Sequence, residues 1–213
     1  MTAKRFQGPI VGIDFDNTLA NYDHVFLSAA RTSGLVNRDF IGTKAALRTT
    51  IRRARDGETA WMRLQGRVYG ALMGEATLFE GAAEFLARCR SCRATIFIVS
   101  HKTEHGHFDS DRVNLREAAL HWMTVQRFFD ERGYAIAPEN VFFGATRAEK
   151  IARIQSIEPD RFVDDLEDVF RDLAFPPTVD RMLFHPGEAV PPVGPFRVFR
   201  HWSEITNDVF ERS

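Results

Sequence analysis

The chain has 213 residues, of which 44% are hydrophobic and 27% are charged, as in ordinary globular proteins. Its aromatic residues, among them 19 Phe, are numerous enough to build a large core, which excludes a wholly disordered chain. The net charge of −1 disfavours a nucleic-acid partner bound by bulk positive charge.

The cellular location is predicted from what the sequence lacks. The basic start MTAKRFQGPIVGIDFD has no apolar stretch of signal-peptide length because Asp14 interrupts it, and no apolar run is long enough to span a bilayer. We therefore expect a cytoplasmic protein with no membrane partner. Cys89 and Cys92 fit a reducing compartment, and their C-x-x-C spacing lacks the second ligand pair of a structural zinc site. We interpret them as two partly buried thiols near the end of a helix.

Short apolar runs alternate with helical patterns along most of the chain. The runs predicted as buried strands are residues 9–15, 94–100, 140–144, 161–165 and 181–185, with 196–199 as an additional candidate. The predicted helices are residues 81–92, 112–132, 147–157, 166–173 and 203–210. This alternation predicts an α/β, three-layer doubly wound parallel sheet, which binds ligands at the carboxyl ends of its strands.

The interval 19–78 interrupts the alternation. It has no convincing strand and is predicted to be helical over residues 25–32, 43–55 and 59–73. Its nine cations and five anions give a charge of +4, so the remaining residues carry −5. We predict a core of residues 1–18 and 79–213, with 19–78 as a helical insert over the strand ends. The alternative is a set of extra helices on the flank of the sheet.

The strongest local signal is the segment from Asp14 to Thr18, where a buried strand runs directly into two carboxylates. In a continuing strand Asp14 and Asp16 face the same side. Two like charges so close are costly unless a cation or a shared proton relieves them. An Asx-rich turn is the alternative, but it does not explain why Asp14 lies inside the apolar run.

With three further elements, this segment resembles the motif set of the haloacid dehalogenase (HAD) superfamily of aspartate-dependent phosphohydrolases. Asp14–Thr18 matches the family's Asp-x-Asp-x-Thr, and Ser100 matches the Ser or Thr that ends the next core strand. Lys150 matches the motif lysine, and Asp164-Asp165 matches the late acidic pair. The four elements occur in family order over about residues 8 to 185. The resemblance implies a Rossmann-like core with a small helical cap after the first motif.

The resemblance also implies catalytic roles. Asp14 would attack phosphorus and form an aspartyl-phosphate, and Asp16 would protonate the leaving alcohol and then activate water. Lys150 would offset charge on the nucleophile and the transferred group. An acid at position 16 points to phosphate esters or anhydrides rather than to halides. Asn17 stands where Gly is common in the family, and Asn tolerates the left-handed backbone.

The implied cofactor is Mg²⁺, which prefers oxygen ligands. Asp14 and Asp164 would supply carboxylates and Asp16 its backbone carbonyl, while Asp165 and Asp168 are both candidates to support Asp164. Phosphoryl oxygens would be held by Ser100 and by backbone N–H groups of the first motif. The predicted phosphate- or substrate-binding residues are Phe15, Asn17, Thr18, His101 and Lys102.

Several residues near these motifs keep two interpretations. Lys102 is the rival of Lys150 for the role of motif lysine. His101, His105 and His107 contact substrate or belong to a polar loop, and a second metal site is less favoured. The basic group in the insert, a solvated face or a guide for anionic substrate, is Arg48, Arg52, Arg53 and Arg55. Trp61 and Tyr69 are assigned to the insert core, and the alternative is that one of them faces the substrate.

We therefore expect a Mg²⁺-dependent phosphohydrolase acting on a small phosphorylated metabolite. The alternatives are a phosphotransferase, a nucleic-acid end-processing phosphatase and a catalytically silent binding or regulatory protein with the same fold. The sequence carries no signal for the oligomeric state.

Overall fold

The computed structural model describes residues 8–108, 111–187 and 189–211. Within them the chain forms two compact units. The first unit is assigned residues 1–20, 78–101 and 126–213, and the second is assigned residues 21–77 and 102–125. The second unit thus contains most of the predicted insert and also a later segment that we had predicted as part of the core. Among the described residues, no helix combines the length and the apolar character that a membrane crossing requires.

The chain forms eight strands and eight α-helices within the described residues. In chain order the strands are β1 (Ile10–Ile13), β2 (Ala20–Asn21), β3 (Thr77–Leu78), β4 (Thr95–His101), β5 (Val141–Gly144), β6 (Arg161–Asp164), β7 (Asp180–Phe184) and β8 (Arg197–Phe199). The α-helices are α1 (Asp23–Thr32), α2 (Lys44–Arg52), α3 (Gly57–Tyr69), α4 (Ala82–Ser91), α5 (Leu115–Val125), α6 (Arg147–Ile157), α7 (Glu167–Arg171) and α8 (Trp202–Glu211).

The first unit is built on a six-stranded sheet in the order β5–β4–β1–β6–β7–β8. Every neighbouring pair in it is parallel. Helices α4 and α6 pack against β4, and α8 packs against β8. The predicted α/β class with a parallel, Rossmann-like sheet is therefore confirmed, and each of the six predicted strands overlaps an observed one.

The register of the sheet brings the ends of three strands to one edge. Ile13 at the end of β1 pairs with Ile98 of β4 on one side and with Val163 of β6 on the other. The residues that come next, Asp14 and Asp164, and Ser100 two positions beyond Ile98 therefore lie at the carboxyl edge. This is the edge where parallel α/β sheets bind ligands.

Helix α6 has the predicted bounds because both of its ends carry clear signals. The Thr146 side chain accepts a hydrogen bond from the Glu149 N–H at 3.2 Å, and Glu149 accepts one from the Ala145 N–H at 2.8 Å. This reciprocal arrangement resembles a capping box. Glu158 ends the helix in a left-handed conformation. The caps fix the axial position of Lys150, which lies on the first turn.

The two cysteines lie at the end of α4. Cys89 is fully buried, Cys92 is half-buried just past the last helical residue, and neither forms a disulfide. Burial raises the pKa of the Cys89 thiol above its usual range, so this thiol is a poor nucleophile. The only group of described residues able to hold a metal ion contains no cysteine. These observations agree with the interpretation of two thiols near a helix end.

The second unit is helical and packs around aromatic rings. Phe26 of α1 stacks on Trp61 of α3, with ring centres 5.2 Å apart, and Trp61 is 2% exposed. Helix α5 belongs here because the Trp122 indole N–H donates to the Ala76 carbonyl at 2.9 Å. The predicted helix 112–132 is shorter in the structure, since the Asn114 side chain accepts from the first turn and Arg127 is left-handed.

A test of the sheet uses Gly12 at the centre of β1. A Cβ at this position would overlap the ring of Phe162 on the neighbouring strand, and that ring is fully buried. Because the ring has no free space to enter, we expect Gly12→Ala to lower the free energy of unfolding by about 1–3 kcal/mol. Urea denaturation measures this loss. Gly74→Ala is the control, since a Cβ there has no neighbour within 4 Å. Equal stability of the two variants would contradict the described packing.

Candidate active site

The site begins where β1 ends. The Asp14 N–H donates to the Val163 carbonyl at 2.8 Å, so Asp14 continues the pairing with β6 and lies beside the end of that strand. Asp14 is 4% exposed, and Asp164, the last residue of β6, is fully buried. Sheet pairing alone therefore brings two buried carboxylates together, which is costly without a compensating cation.

The chain then makes a tight turn over residues 15–20. The N–H groups of Leu19 and Ala20 both donate to the Phe15 carbonyl at 3.0 Å, and the Asn17 N–H donates to the Ala20 carbonyl at 2.9 Å. Asn17 has a φ of 61°, the left-handed conformation that Asn tolerates. The turn is thus formed without glycine.

Lys150 supplies the compensating cation. Its ammonium nitrogen lies 2.6 Å from Asp14 Oδ1 and 2.6 Å from Asp164 Oδ2, and its side chain is 1% exposed. Burial disfavours the ammonium charge, but the carboxylates of Asp14 and Asp164 outweigh burial and raise the pKa of Lys150. Lys150 is therefore charged at neutral pH and bridges the two strand ends.

Asp14 is the perturbed acid of the site. Burial raises the pKa of Asp14 to about 7, and Asp164 and Asp16 add to this effect while Lys150 opposes it. A further cation near Asp14 would stabilise the ionised carboxylate, so the raised pKa favours the binding of such a cation. Perturbed acids of this kind concentrate at functional sites.

Three carboxylates form a group that could hold a metal ion. One oxygen each of Asp14, Asp164 and Asp165 lies within 4.8 Å of the others. Lys150 offsets part of the negative charge of these carboxylates when they are ionised, and a divalent cation would offset more of it. All three donors are carboxylate oxygens, the type that Mg²⁺ and Ca²⁺ prefer. The residues therefore fit a hard divalent cation.

Two hydroxyl groups complete the surroundings of the acids. The buried Thr18 hydroxyl lies 3.4 Å from Asp14 Oδ2 and 3.5 Å from Asp165 Oδ1. Its backbone carbonyl accepts a hydrogen bond from the Trp202 indole N–H at 3.1 Å, which fixes the turn. Ser100 is 1% exposed, and its hydroxyl has no hydrogen-bond partner in the described structure. Such an orphaned buried hydroxyl is available to a phosphoryl oxygen.

Some predicted site residues do not join the three-carboxylate group. Asp168 has a side chain that is 73% exposed, 3.7 Å from Arg147, because α7 begins only at Glu167 and turns it outward. Asp16 is half-buried and forms a backbone bridge with Ala20. The exposed His101 ring donates a hydrogen bond from Nε2 to the Ala145 carbonyl at 2.9 Å. Asp165, rather than Asp168, lies beside Asp164.

Lys102, His105 and His107 belong to the second unit. Lys102 is 3% exposed, and its ammonium lies 5.0 Å from the centre of the Tyr69 ring. His105 forms a bridge with Asn114 and its ring lies 3.4 Å from the Val113 carbonyl, while His107 is exposed. Among the described residues, no histidine takes part in a possible metal group. Lys44, which no motif singles out, also lies beside Tyr69.

Similar proteins were found among solved structures. The sequence matches no family model and no curated protein. The chain is similar to a HAD family hydrolase from Deinococcus radiodurans R1 with bound phosphate and sodium (15% identity, 96% of each chain covered, TM-score 0.59). It is also similar to Protein Tyrosine Kinase A of Mycobacterium tuberculosis (16% identity, 95% of this chain and 99% of that one, TM-score 0.59). A third similar structure is the HAD-hydrolase YfnB from Bacillus subtilis bound to magnesium (14% identity, 96% and 99% covered, TM-score 0.54).

These structural similarities establish the fold of the protein. The six-stranded parallel sheet flanked by helices is the fold of the HAD-superfamily hydrolases, as the order of the four motifs predicts. The expected resemblance is thereby confirmed for the fold. Activity and substrate are inferred from the residues of this chain.

The position of the acids leads to a test of the metal site. We expect Mg²⁺ to raise the melting temperature of the protein, because it binds the folded site and not the unfolded chain. Asp165→Asn removes one clustered charge and should reduce this increase strongly. Asp168→Asn removes an exposed charge and should leave it unchanged. Equal effects of the two substitutions, measured by differential scanning fluorimetry, would contradict the assignment.

The raised pKa of Asp14 predicts how metal affinity depends on pH. Only the ionised carboxylate binds a cation, so the protonated fraction below pH 7 competes with the metal. Between pH 6 and pH 8 we expect the Mg²⁺ affinity to rise about tenfold and then to level off. Calorimetric titration at pH 6, 7 and 8 measures this change. An affinity that does not change with pH would show that Asp14 is ionised throughout.

Proposed function

We propose that the protein is a Mg²⁺-dependent phosphohydrolase that cleaves a small phosphate monoester through an aspartyl-phosphate. The observation that carries this proposal is the buried carboxylate of Asp14, held by Lys150 at the carboxyl edge of the sheet beside Asp164 and Asp165. Phosphate monoesters hydrolyse extremely slowly without a catalyst, so strong charge stabilisation is required. The site brings together the charged groups that can provide this stabilisation.

In the first step, a carboxylate oxygen of Asp14 forms a bond to phosphorus and the ester P–O bond breaks. The leaving oxygen takes the bond electrons and receives a proton from the carboxyl group of Asp16. Lys150 holds Asp14 Oδ1 at 2.6 Å and so orients the nucleophile before the reaction. The products are the free alcohol and a phosphoryl group on Asp14.

In the second step, water attacks the phosphorus of the aspartyl-phosphate and the P–O bond to Asp14 breaks. The Asp16 carboxylate, left ionised by the first step, accepts the proton of that water. Inorganic phosphate leaves and both aspartates return to their starting states. Asp16 is half-buried, so it can exchange protons with solvent between turnovers.

The phosphoryl oxygens are held by groups that the fold fixes in advance. The orphaned hydroxyl of Ser100 donates a hydrogen bond to one of them. Mg²⁺, held by Asp14, Asp164 and Asp165, supplies charge neutralisation for the phosphoryl group when bound. The similar structures with bound phosphate and sodium, and with magnesium, support these ligand classes.

A phosphotransferase is the second candidate function. An aspartyl-phosphate can pass its group to an alcohol instead of water, and the fold is also similar to a protein named as a tyrosine kinase. Measuring free phosphate against phosphorylated acceptor in the presence of glycerol separates the two outcomes. Residues 19–78, whose charge is +4, are proposed as the insert that selects the substrate.

The direct test of the proposal is turnover of p-nitrophenyl phosphate with Mg²⁺. Asp14→Asn keeps the size of the side chain but removes the nucleophile, so we expect activity to fall at least about 10³-fold. Asp39→Asn is the control, because Asp39 is exposed and belongs to no proposed site, and it should retain activity within about twofold. An active Asp14→Asn variant would overturn the mechanism.

The role of Asp16 predicts a characteristic time course. Nitrophenolate leaves without a proton, so Asp16→Asn should still form the aspartyl-phosphate from p-nitrophenyl phosphate but hydrolyse it slowly. We expect a burst of about one nitrophenolate per protein molecule, followed by turnover about 10²-fold slower than wild type. Stopped-flow absorbance measures both phases. Slow release without a burst would assign Asp16 a different role.

A further inference from the structure

A cavity of the first unit lies at the edge of the sheet opposite the proposed active site. Its volume is about 240 Å³, and its lining includes Arg90, Arg93, Ile96, Tyr134, Ile136 and Asn140. Ile96 is the second residue of β4 and Asn140 directly precedes β5, so the cavity lies at the amino ends of these strands. Ser100 is four residues further along β4, a distance of about 13 Å. We call this space the amino-edge cavity.

Two segments form the walls of the amino-edge cavity. One is the end of α4 with the turn that leads into β4, and the other is residues 133–140. The Arg90 guanidinium donates from Nη1 to the Gly133 carbonyl at 3.2 Å, which joins the two walls. The Asn140 side chain donates to the Ile96 carbonyl at 3.1 Å. Because these contacts form without a ligand, binding would cost little entropy of ordering.

The cavity carries positive charge and neutral donors. Neither Arg90 nor Arg93 forms an ion pair with a described residue, and the contact with Gly133 uses only one of the N–H donors of Arg90. Burial raises the pKa of Tyr134, and the Glu84 carboxylate adds to this effect, so the tyrosine hydroxyl is neutral and can donate. The two guanidinium groups outnumber that carboxylate, which favours an anion. Glu84 also disfavours a doubly charged phosphoryl group more than a singly charged carboxylate.

The other side chains of the cavity are apolar. Ile96 and Ile136 are almost fully buried, and three alanines lie beside them in the lining. The Tyr134 ring meets the Phe128 ring edge-on at 5.5 Å, which fixes its orientation. An apolar lining with a few convergent polar groups is typical of small-molecule sites. The cavity therefore suits a ligand with an apolar body and one anionic group.

We propose that the amino-edge cavity binds a small organic carboxylate. The guanidinium groups of Arg90 and Arg93 bind the planar carboxylate through charge-assisted hydrogen bonds, and the isoleucine side chains contact the apolar body. The cavity lies at the other end of the strands from Asp14, so its ligand is distinct from the phosphate ester. The inference does not depend on turnover, because no residue of the proposed active site takes part.

The test uses two probes of the same shape, 4-fluorobenzoate and the uncharged 4-fluorobenzamide. Their binding to the full chain is followed by fluorine NMR with EDTA present. We expect the benzoate to bind wild type with a Kd of about 1 mM or lower. The benzamide should bind at least about tenfold more weakly, because it lacks the charge that the guanidinium groups recognise.

Substitutions then locate the bound carboxylate. Arg90→Met and Arg93→Met should each weaken benzoate binding about fivefold or more, and Arg93→Met leaves the contact between Arg90 and Gly133 intact. Glu84→Gln should strengthen binding about twofold, since it removes the opposing charge. Arg88→Met is the matched control, because Arg88 is an exposed cation of the same helix that lies against Phe210 and outside the cavity lining. It should leave the Kd unchanged.

Three results would overturn the inference: no benzoate binding to wild type, equal binding of the two probes, or a Kd unchanged in both Arg90→Met and Arg93→Met. An equal loss in Arg88→Met would overturn it as well, since the effect would then come from overall charge. Failure of the proposed function is seen separately, as the absence of p-nitrophenyl phosphate turnover in wild type.

Discussion

The ion pairs of Lys150 with Asp14 and Asp164 are the interaction on which the rest of the site depends. Parallel pairing of β1 with β6 brings two carboxylates into a buried place, and a cation must join them there. Removing one partner of such a group costs about 3–5 kcal/mol, because a buried charge is left without compensation. The same ammonium that makes the strand ends compatible also orients the nucleophile. The contact between Lys150 and Asp14 therefore stabilises the fold and also serves the proposed chemistry.

The sheet and most of the site could be predicted because both depend on local sequence. Apolar runs mark the six strands, and the carboxyl ends of parallel strands meet at one edge, so Asp14, Ser100 and Asp164 were expected together. The caps of α6 likewise fix Lys150. The choice between Asp165 and Asp168 was not predictable, since it depends on whether α7 begins before or after Glu167. Asp165 precedes α7 and joins the cluster, whereas Asp168 lies within α7 and is exposed.

The second unit shows where sequence patterns carry too little information. Residues 102–125 follow β4 directly, yet they pack with residues 21–77 through contacts such as the one between Trp122 and Ala76. Those contacts join positions 46 residues apart and leave no local pattern.

The central claim, that Asp14 is the residue that becomes phosphorylated, can be tested by trapping the intermediate. Protein mixed with excess substrate and Mg²⁺ is quenched in acid and treated with borohydride, which reduces an aspartyl-phosphate to homoserine. Peptide mass spectrometry then locates the change. The mechanism predicts homoserine at position 14 in wild type and unmodified aspartate when substrate is omitted. Turnover without modification at Asp14, or modification at another carboxylate, would contradict it.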